Sequence, residues 1–260
     1  MYIRQECLFS FEELIKLQPD TKLELIFEAI DPQITTALAK LPKFSKFGPE
    51  PCDRESMLRS LIAKEVEGIK NYKTLIKRIN NDPIFRYTCG FSVIGKAPSA
   101  STYSRFIGEL KDLDLLDSLL EDLVKQAKEL GIIDGTHIAI DSSKLESYDA
   151  ATPKSKIEQD GKQPDWGMKK DTDGNNIRWF GWKVHIATDT KSELPVAVRI
   201  TPASTSDSAA FMPLIVDIDK YYDDIFNTIY YLMDSGYDCQ EIYETIYNQY
   251  GAQAIIPLNH

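Results

Sequence analysis

Gly131-Ile-Ile-Asp-Gly-Thr-His-Ile-Ala-Ile-Asp141 is the stretch at which the chain changes its period. Before Gly131 the apolar side chains recur every three or four residues, the spacing of helices with one buried face. After it, Ile138 and Ile140 alternate with Ala139 and Asp141, the spacing of a strand with one buried face. A glycine ends a helix readily at such a junction, because it enters the left-handed conformation without a Cβ clash. Helices on one side and strands on the other predict an α+β chain: an all-helical N-terminal part, then a mixed β-sheet domain with flanking helices.

Upstream of the junction, Leu113, Leu116, Leu119, Leu120, Leu123, Val124, Ala127 and Leu130 line one side of the helix that Gly131 ends. Ser10 with Glu13 forms a capping box for Phe11–Leu17, and Thr21 with Glu24 one for Leu23–Ile30. The Pro-containing stretch Leu41–Pro51 breaks this pattern. Leu58, Leu61, Ile62 and Val66 then predict a helix from Asp53 to Gly68, and Leu75, Ile76 and Ile79 a second. Pro83 opens a short third, and Tyr103, Phe106 and Leu110 mark a fourth over Ser101–Leu110.

Downstream, residues 142–178 are polar and rich in Lys, Asp and Gly, which predicts a long loop. Trp182–Thr188 and Leu194–Thr201 predict strands around the turn Asp189-Thr-Lys-Ser192. Asp207 caps a helix through Asp219, Thr228–Met233 is an apolar strand, Asp238 with Glu241 caps another helix, and Ala252–Pro257 is a last strand. The order predicts a five-stranded sheet that opens with antiparallel neighbours and continues through parallel crossovers. Three segments follow: an N-terminal helical segment (1–50), a basic helical module with its linker helix (51–131) and the sheet domain (132–260).

The net charge of −10 is unevenly placed. Residues 52–111 hold 11 Lys/Arg against 6 Asp/Glu, whereas residues 181–260 hold 4 against 11. Phosphate attraction acts over a Debye length of about 8–10 Å, so a basic face works even on an acidic chain. Lys70, Lys73, Lys77 and Arg78 cluster around the second helix of the module and Arg105 sits on the fourth, a disposition suited to phosphate contacts. A solvated helical surface has the same composition, and charge alone does not separate the two readings.

Other classes are disfavoured. Met1-Tyr-Ile-Arg-Gln-Glu-Cys7 has no apolar core of a signal peptide, and no apolar run approaches the roughly 20 residues of a membrane span. The four cysteines form no C-x-x-C pair and the three histidines are scattered, which argues against a zinc site and for reduced thiols in a cytoplasmic protein.

Asp141 and Asp234 occupy matching positions, each closing an apolar strand and each followed by serine. Carboxylates on neighbouring strand ends repel unless one is protonated or a cation lies between them. A divalent metal resolves the conflict, and a metal pair about 3.5–4 Å apart stabilises both the attacking and the leaving oxygen at phosphorus. Aspartate at a strand end is also a common turn former or helix cap, so spacing leaves both readings open. Lys183 reads either as a phosphate contact near the metals or as a surface lysine. His185 reads as a hydrogen-bonded strand histidine, His137 as structural and Asp207 as an N-cap.

Several blocks stand in a telling order. They are Leu61-Ile-Ala-Lys-Glu-Val-Glu-Gly-Ile69, Tyr72-Lys-Thr-Leu-Ile76, Phe91, Ser101-Thr-Tyr-Ser-Arg-Phe106, Ile140-Asp-Ser-Ser-Lys144 and Phe180-Gly-Trp-Lys-Val-His185. Leu194-Pro-Val-Ala-Val-Arg-Ile-Thr-Pro-Ala203, Asp207-Ser208 and Met233-Asp-Ser-Gly-Tyr-Asp238 follow. Together, from about Arg54 onward, they resemble the DDE transposases of bacterial insertion sequences, in the branch with a helical domain ahead of the catalytic one. The resemblance implies a ribonuclease-H-like fold, Asp141 and Asp234 as the first two acidic residues, and two Mg²⁺ or Mn²⁺ ions. It also implies double-stranded DNA, both element ends and target, as partner, cleavage and strand transfer as the reaction, and a homodimer on DNA. The family's third carboxylate lies on a helix after the last strand, beyond Ile255-Ile-Pro-Leu-Asn-His260. Glu241 and Glu244 are not expected to replace it, so residues 1–260 alone are expected to bind metal weakly and cut DNA poorly. The rival reading is a non-catalytic DNA-binding or assembly protein in which only the basic helices work.

Overall fold

A computed structural model describes residues 10–16, 22–43, 51–111, 115–147, 163–170, 175–222 and 224–258. Cys7, Leu17, Thr21 and its capping box, and Leu113 lie outside the described residues. The chain forms two compact units, residues 1–119 and 120–260.

The first unit carries α1 (Phe11–Lys16), α2 (Lys22–Leu38), α3 (Arg54–Val66), α4 (Tyr72–Asn81), α5 (Pro83–Thr88) and α6 (Ala100–Lys111). Its helix starts are fixed by side chains that accept otherwise unpaired N–H groups. Ser10 and Glu13 bond reciprocally, with Glu13 N on Ser10 Oγ at 3.2 Å and Ser10 N on Glu13 Oε2 at 2.8 Å. Asp53 accepts from Ser56 N at 2.8 Å and Asn71 from Thr74 N at 2.9 Å. Asp82 accepts from Ile84 N and Phe85 N, with Pro83 at the first helical position, where its missing N–H is harmless. α2 runs through Pro32 to Leu38, past the expected end at Ile30. Proline removes one helix hydrogen bond there, but Ile34 and Ala37 on the far side are buried, and their packing outweighs that loss. Leu23, Phe27 and Ile34 share one core with Leu58, Leu75 and Tyr103, so the segment before residue 50 and the basic helices after it pack together.

The second unit opens within α7 (Leu115–Glu129). Leu120, Val124 and Ala127 of this helix join the core, whereas Leu116 and Leu130, expected on the apolar side, are exposed. Leu130 falls past the helix end, where Gly131 turns the chain at φ +70°. Then come β1 (His137–Glu146), β2 (Asp165–Lys170), β3 (Asn176–Asp189), β4 (Pro195–Pro202), α8 (Asp207–Tyr222), β5 (Tyr230–Met233), a 3-10 turn at Ser235–Tyr237, α9 (Gln240–Tyr250) and β6 (Gln253–Ile255).

β3 pairs antiparallel with β4 through residues 182–188 and with β1 through nearly the same residues, so these two strands flank it on opposite edges. β1 pairs parallel with β5, and β5 parallel with β6. The order β4-β3-β1-β5-β6 is the expected ribonuclease-H-like mixed sheet. Buried Ile138, Ile140, Tyr231 and Met233 share a core with Phe211, Leu214 and Ile215 of α8.

Two expectations fail here. Among the described residues the sheet has six strands, since β2 pairs with the first half of β3. Residues 142–146, 165–170 and 176–178, read as loop, are strand. Ser142, Lys144 and Glu146 lie opposite His185, Lys183 and Gly181 and are held by ladder hydrogen bonds with little apolar burial, which leaves no period-two signal. Gly181, at φ +154°, is required: a Cβ there would stand 2.2 Å from the Leu145 carbonyl oxygen. The expected Asp238–Glu241 capping box is also absent. α9 begins at Gln240 without a side-chain cap, because Asp238 ends the 3-10 turn and accepts from Tyr243 Oη at 3.3 Å.

Candidate active site

The β1–β5 ladder ends at Ile140 opposite Met233. One further step places Asp141 beside Asp234, on the face opposite the buried isoleucines, and neighbouring strands lie about 4.8 Å apart. The two carboxylates thus come together because each follows the last core residue of a paired strand. Asp234 ends its strand as expected, and its Oδ1 accepts from Gly236 N at 3.0 Å. Asp141 does not: β1 continues to Glu146 along β3, and Asp141 marks only the end of the parallel ladder. Its Oδ1 accepts from Ser142 N at 2.7 Å.

Burial first, then the charges of Asp141 and Asp207, hold the Asp234 carboxyl above its usual range, against the opposing pulls of the Gly236 N–H and Lys183. A cation placed among these oxygens would relieve that repulsion. The donor set is all carboxylate, which suits a hard divalent ion such as Mg²⁺ or Mn²⁺ rather than zinc. Among the described residues no three His, Cys, Asp or Glu side chains are grouped to hold a metal ion. The pair therefore fits part of a metal shell, and other oxygens must complete it.

Asp207 is not the N-cap of α8. Ser206 takes that role, its Oγ accepting from Ala209 N at 3.2 Å. Asp207 stands in the first turn, where a negative charge is favoured by the helix dipole, and its carboxylate turns toward the site. Its Oδ1 lies 3.1 Å from Lys183 Nζ and 3.9 Å from His185 Nδ1. A Cβ added to Gly236 would stand 3.1 Å from Asp234 Oδ1 and 3.3 Å from Asp207 Oδ2, so this glycine separates the two carboxylates at close quarters.

Lys183 is no surface lysine: its side chain is 14% exposed, and its ammonium donates to the Thr205 carbonyl at 2.9 Å as well as to Asp207. His185 is fully buried beside it, with Nε2 bonded to the Thr201 hydroxyl at 2.9 Å, and burial is the main cause holding its pKa down. Its Nδ1 and the buried Tyr237 Oη have no hydrogen-bond partner among the described residues. Burial, reinforced by Asp207, Asp234 and Asp141, pushes the Tyr237 pKa up. Sequence reading passed over Tyr237 and reduced Asp207 to a cap, although both lie in the blocks that carry the resemblance. His137 lies at the opposite end of β1, hydrogen-bonded to Thr136.

In the first unit, Leu75 and Ile79 anchor α4 in the core, while Lys73 and Lys77 are exposed, as are Lys70 and Arg105. Arg78 differs. Its guanidinium pairs with Asp82 at 3.2 Å and Glu67 at 3.8 Å and lies over the Phe85 ring. Arg54 and Arg59 are likewise engaged by Glu109, Asp31 and Glu55. Among the described residues, Lys70, Lys73, Lys77, Lys96 and Arg105 have no carboxylate partner, so the usable positive charge is smaller than the count suggests and gathers around α4. No helix of the described residues is long and apolar enough to cross a membrane.

Comparison with known proteins follows the division of the chain. The family model described as "Transposase DDE domain" matches residues 125–260, and "Transposase domain (DUF772)" matches residues 10–109. No curated protein matches. A solved structure, a cryo-EM piggyBac transposase synaptic complex with hairpin DNA, aligns at 11% identity and a TM-score of 0.32. The alignment covers 97% of this chain and 44% of that one, and a likeness this weak carries no argument.

Proposed function

Since the chain belongs to the transposase DDE family, we propose that it cuts and joins DNA at the ends of a mobile element, with Asp141 and Asp234 supplying carboxylates to a divalent-metal centre. The observation that carries this reading is the register that sets the two aspartates side by side where the parallel ladder ends. DDE transposase domains generally use divalent metal ions; Mg²⁺ or Mn²⁺, two per site, is the finer proposal. When bound, such ions make water a nucleophile near neutral pH and offset charge on the attacking and leaving oxygens.

The chain's own residues do the rest. Asp141 and Asp234 present oxygens from a rigid sheet, so little rearrangement accompanies each reaction. The Gly236 N–H on Asp234 Oδ1 fixes which oxygen of that carboxylate remains available. The exposed Lys70, Lys73, Lys77 and Arg105 of the basic helical module (51–131) would bind backbone phosphates and set the register of duplex DNA without reading its sequence. The ammonium of Lys183 is already bonded within the site, to the Thr205 carbonyl and the Asp207 carboxylate. A homodimer on DNA, in a cytoplasmic setting, belongs to the same proposal.

The test is nicking of element-end DNA by the purified protein in Mg²⁺ or Mn²⁺, with gel-shift binding measured alongside. Asp141→Asn and Asp234→Asn should each abolish cutting and leave binding intact. Metal-dependent cutting that survives both substitutions would sink the assignment. Binding with no metal-dependent cutting by a full-length version would favour the non-catalytic reading.

A further inference from the structure

Asp207 does more than occupy the first turn of α8. Three features converge on it. Its Oδ1 holds the Lys183 ammonium at 3.1 Å, and Lys183 takes its other acceptor from Thr205, two residues before α8 begins. Its Oδ2 faces Gly236, whose missing Cβ lets the Asp234 carboxylate approach from the other side. His185, fully buried, turns an unpartnered Nδ1 toward it at 3.9 Å. Asp207 and Lys183 therefore form one charged pair lodged between the α8 start and the carboxylates of Asp141 and Asp234.

The position of this pair has a consequence. An ammonium near two carboxylates competes with a divalent cation for the same oxygens. Lys183 is near enough to pull on Asp234, and its long flexible stem would let it move there if nothing else bound it. Here the Thr205 carbonyl and the Asp207 carboxylate hold it, at 2.9 and 3.1 Å.

We propose that Asp207 is a positioning residue of the metal centre, and that it works by anchoring the Lys183 ammonium away from Asp234 so that a divalent cation can take the Asp141–Asp234 pair. Asp207 is not a metal ligand in this arrangement. The inference rests on the metal-centre reading above and adds to it the device that keeps the site open. It also accounts for a half-buried lysine beside carboxylates that a cation must reach.

A double-mutant cycle read by Mn²⁺ affinity tests it, with free Mn²⁺ followed by its electron-paramagnetic-resonance signal. Asp207→Asn keeps the size of the side chain and, by removing its charge, loosens its hold on the ammonium, so Mn²⁺ affinity should fall about tenfold, or about 1.4 kcal/mol. Lys183→Met in the unaltered protein should change affinity less than about threefold, because the ammonium is already held by Thr205 and Asp207. In the Asp207→Asn background the same Lys183→Met change should restore about tenfold.

If Lys183→Met acts by the same factor in both backgrounds, Asp207 works only through its own charge and the proposal falls. It falls equally if Asp207→Asn leaves affinity unchanged. Melting curves without metal identify any variant that does not fold, and Asp207→Ser then replaces Asn, because Ser206 still caps α8. Mn²⁺ affinity that ignores Asp141→Asn and Asp234→Asn would instead reject the underlying site, whatever Asp207 does.

Discussion

Gly236→Ala separates the geometry of the site from the stability of the fold. The new methyl carbon would stand 3.1 Å from Asp234 Oδ1 and 3.3 Å from Asp207 Oδ2. Both contacts are tighter than most real Cβ contacts, so each carboxylate must yield by a few tenths of an ångström. Both belong to side chains that can rotate, and Gly236 is not in the left-handed region, so no backbone strain arises. Replacing glycine by alanine also narrows the unfolded ensemble, which favours folding by about 0.4–1 kcal/mol. Stability should therefore hold or rise slightly. The chemistry responds differently, since a 1 Å misplacement of reacting groups can cost about 100-fold in rate. A shift of about 0.3 Å then implies a loss of about fourfold, and displacement of both carboxylates raises this toward tenfold. The assay pairs metal-dependent nicking with a thermal melt. Gly135→Ala serves as the opposite control: there φ is +73° and the Cβ would meet the Phe226 ring at 2.6 Å, so the melt should drop. A Gly236→Ala protein that melts lower, or that cuts at the unaltered rate, would refute the claim that this glycine sets the spacing of the carboxylates.

Two further outcomes follow from the structure. Lys73→Ala and Lys77→Ala should each reduce the slope of log K against log salt by about 0.9, whereas Arg78→Ala should barely change it, because that guanidinium is held by Glu67 and Asp82; an Arg78 effect as large as the lysines' would overturn the distinction. His185, with its folded pKa held below 6.5 chiefly by burial, binds fewer protons folded than unfolded as pH falls below 6.5, so stability should decline from there toward its folded pKa. Melting curves from pH 7 downward should show that decline in the unaltered protein and less of it in His185→Gln; equal slopes would mean other groups are responsible.

Most of the helices were legible because one face of each is apolar; the cap at Ser10 was legible too, whereas those at Asp53, Asn71 and Asp82 come from the structure. The central strands were legible for a related reason: β1 and β5 bury alternate residues against α8. What escaped was structure held by other means. Residues 142–146 are strand through the partner β3 and expose most of their side chains, so no pattern within the segment marks them. The continuation of α2 through Pro32 depends on the burial of Ile34, which no local rule reports.

The same division runs through the candidate site. Asp141 and Asp234 each follow a run of core residues, so their common position at a ladder's end can be read by extending two alternating patterns. Asp207 cannot be found that way. Read locally, Asp207 at the head of a helix and a serine just before it are interchangeable as caps, and the sequence offers no means of choosing between them. The choice is made in three dimensions, where Ser206 satisfies the helix N–H groups. That leaves the next carboxylate to meet Lys183 from β3 and the space left by Gly236 after β5. These three residues are widely separated in the chain, and their charges matter to one another only once the sheet is assembled. Carboxylates whose surroundings lie along the strand are visible in sequence, and those whose surroundings lie across the sheet are not. Mutagenesis confined to Asp141 and Asp234 would therefore miss the residue that controls access to them.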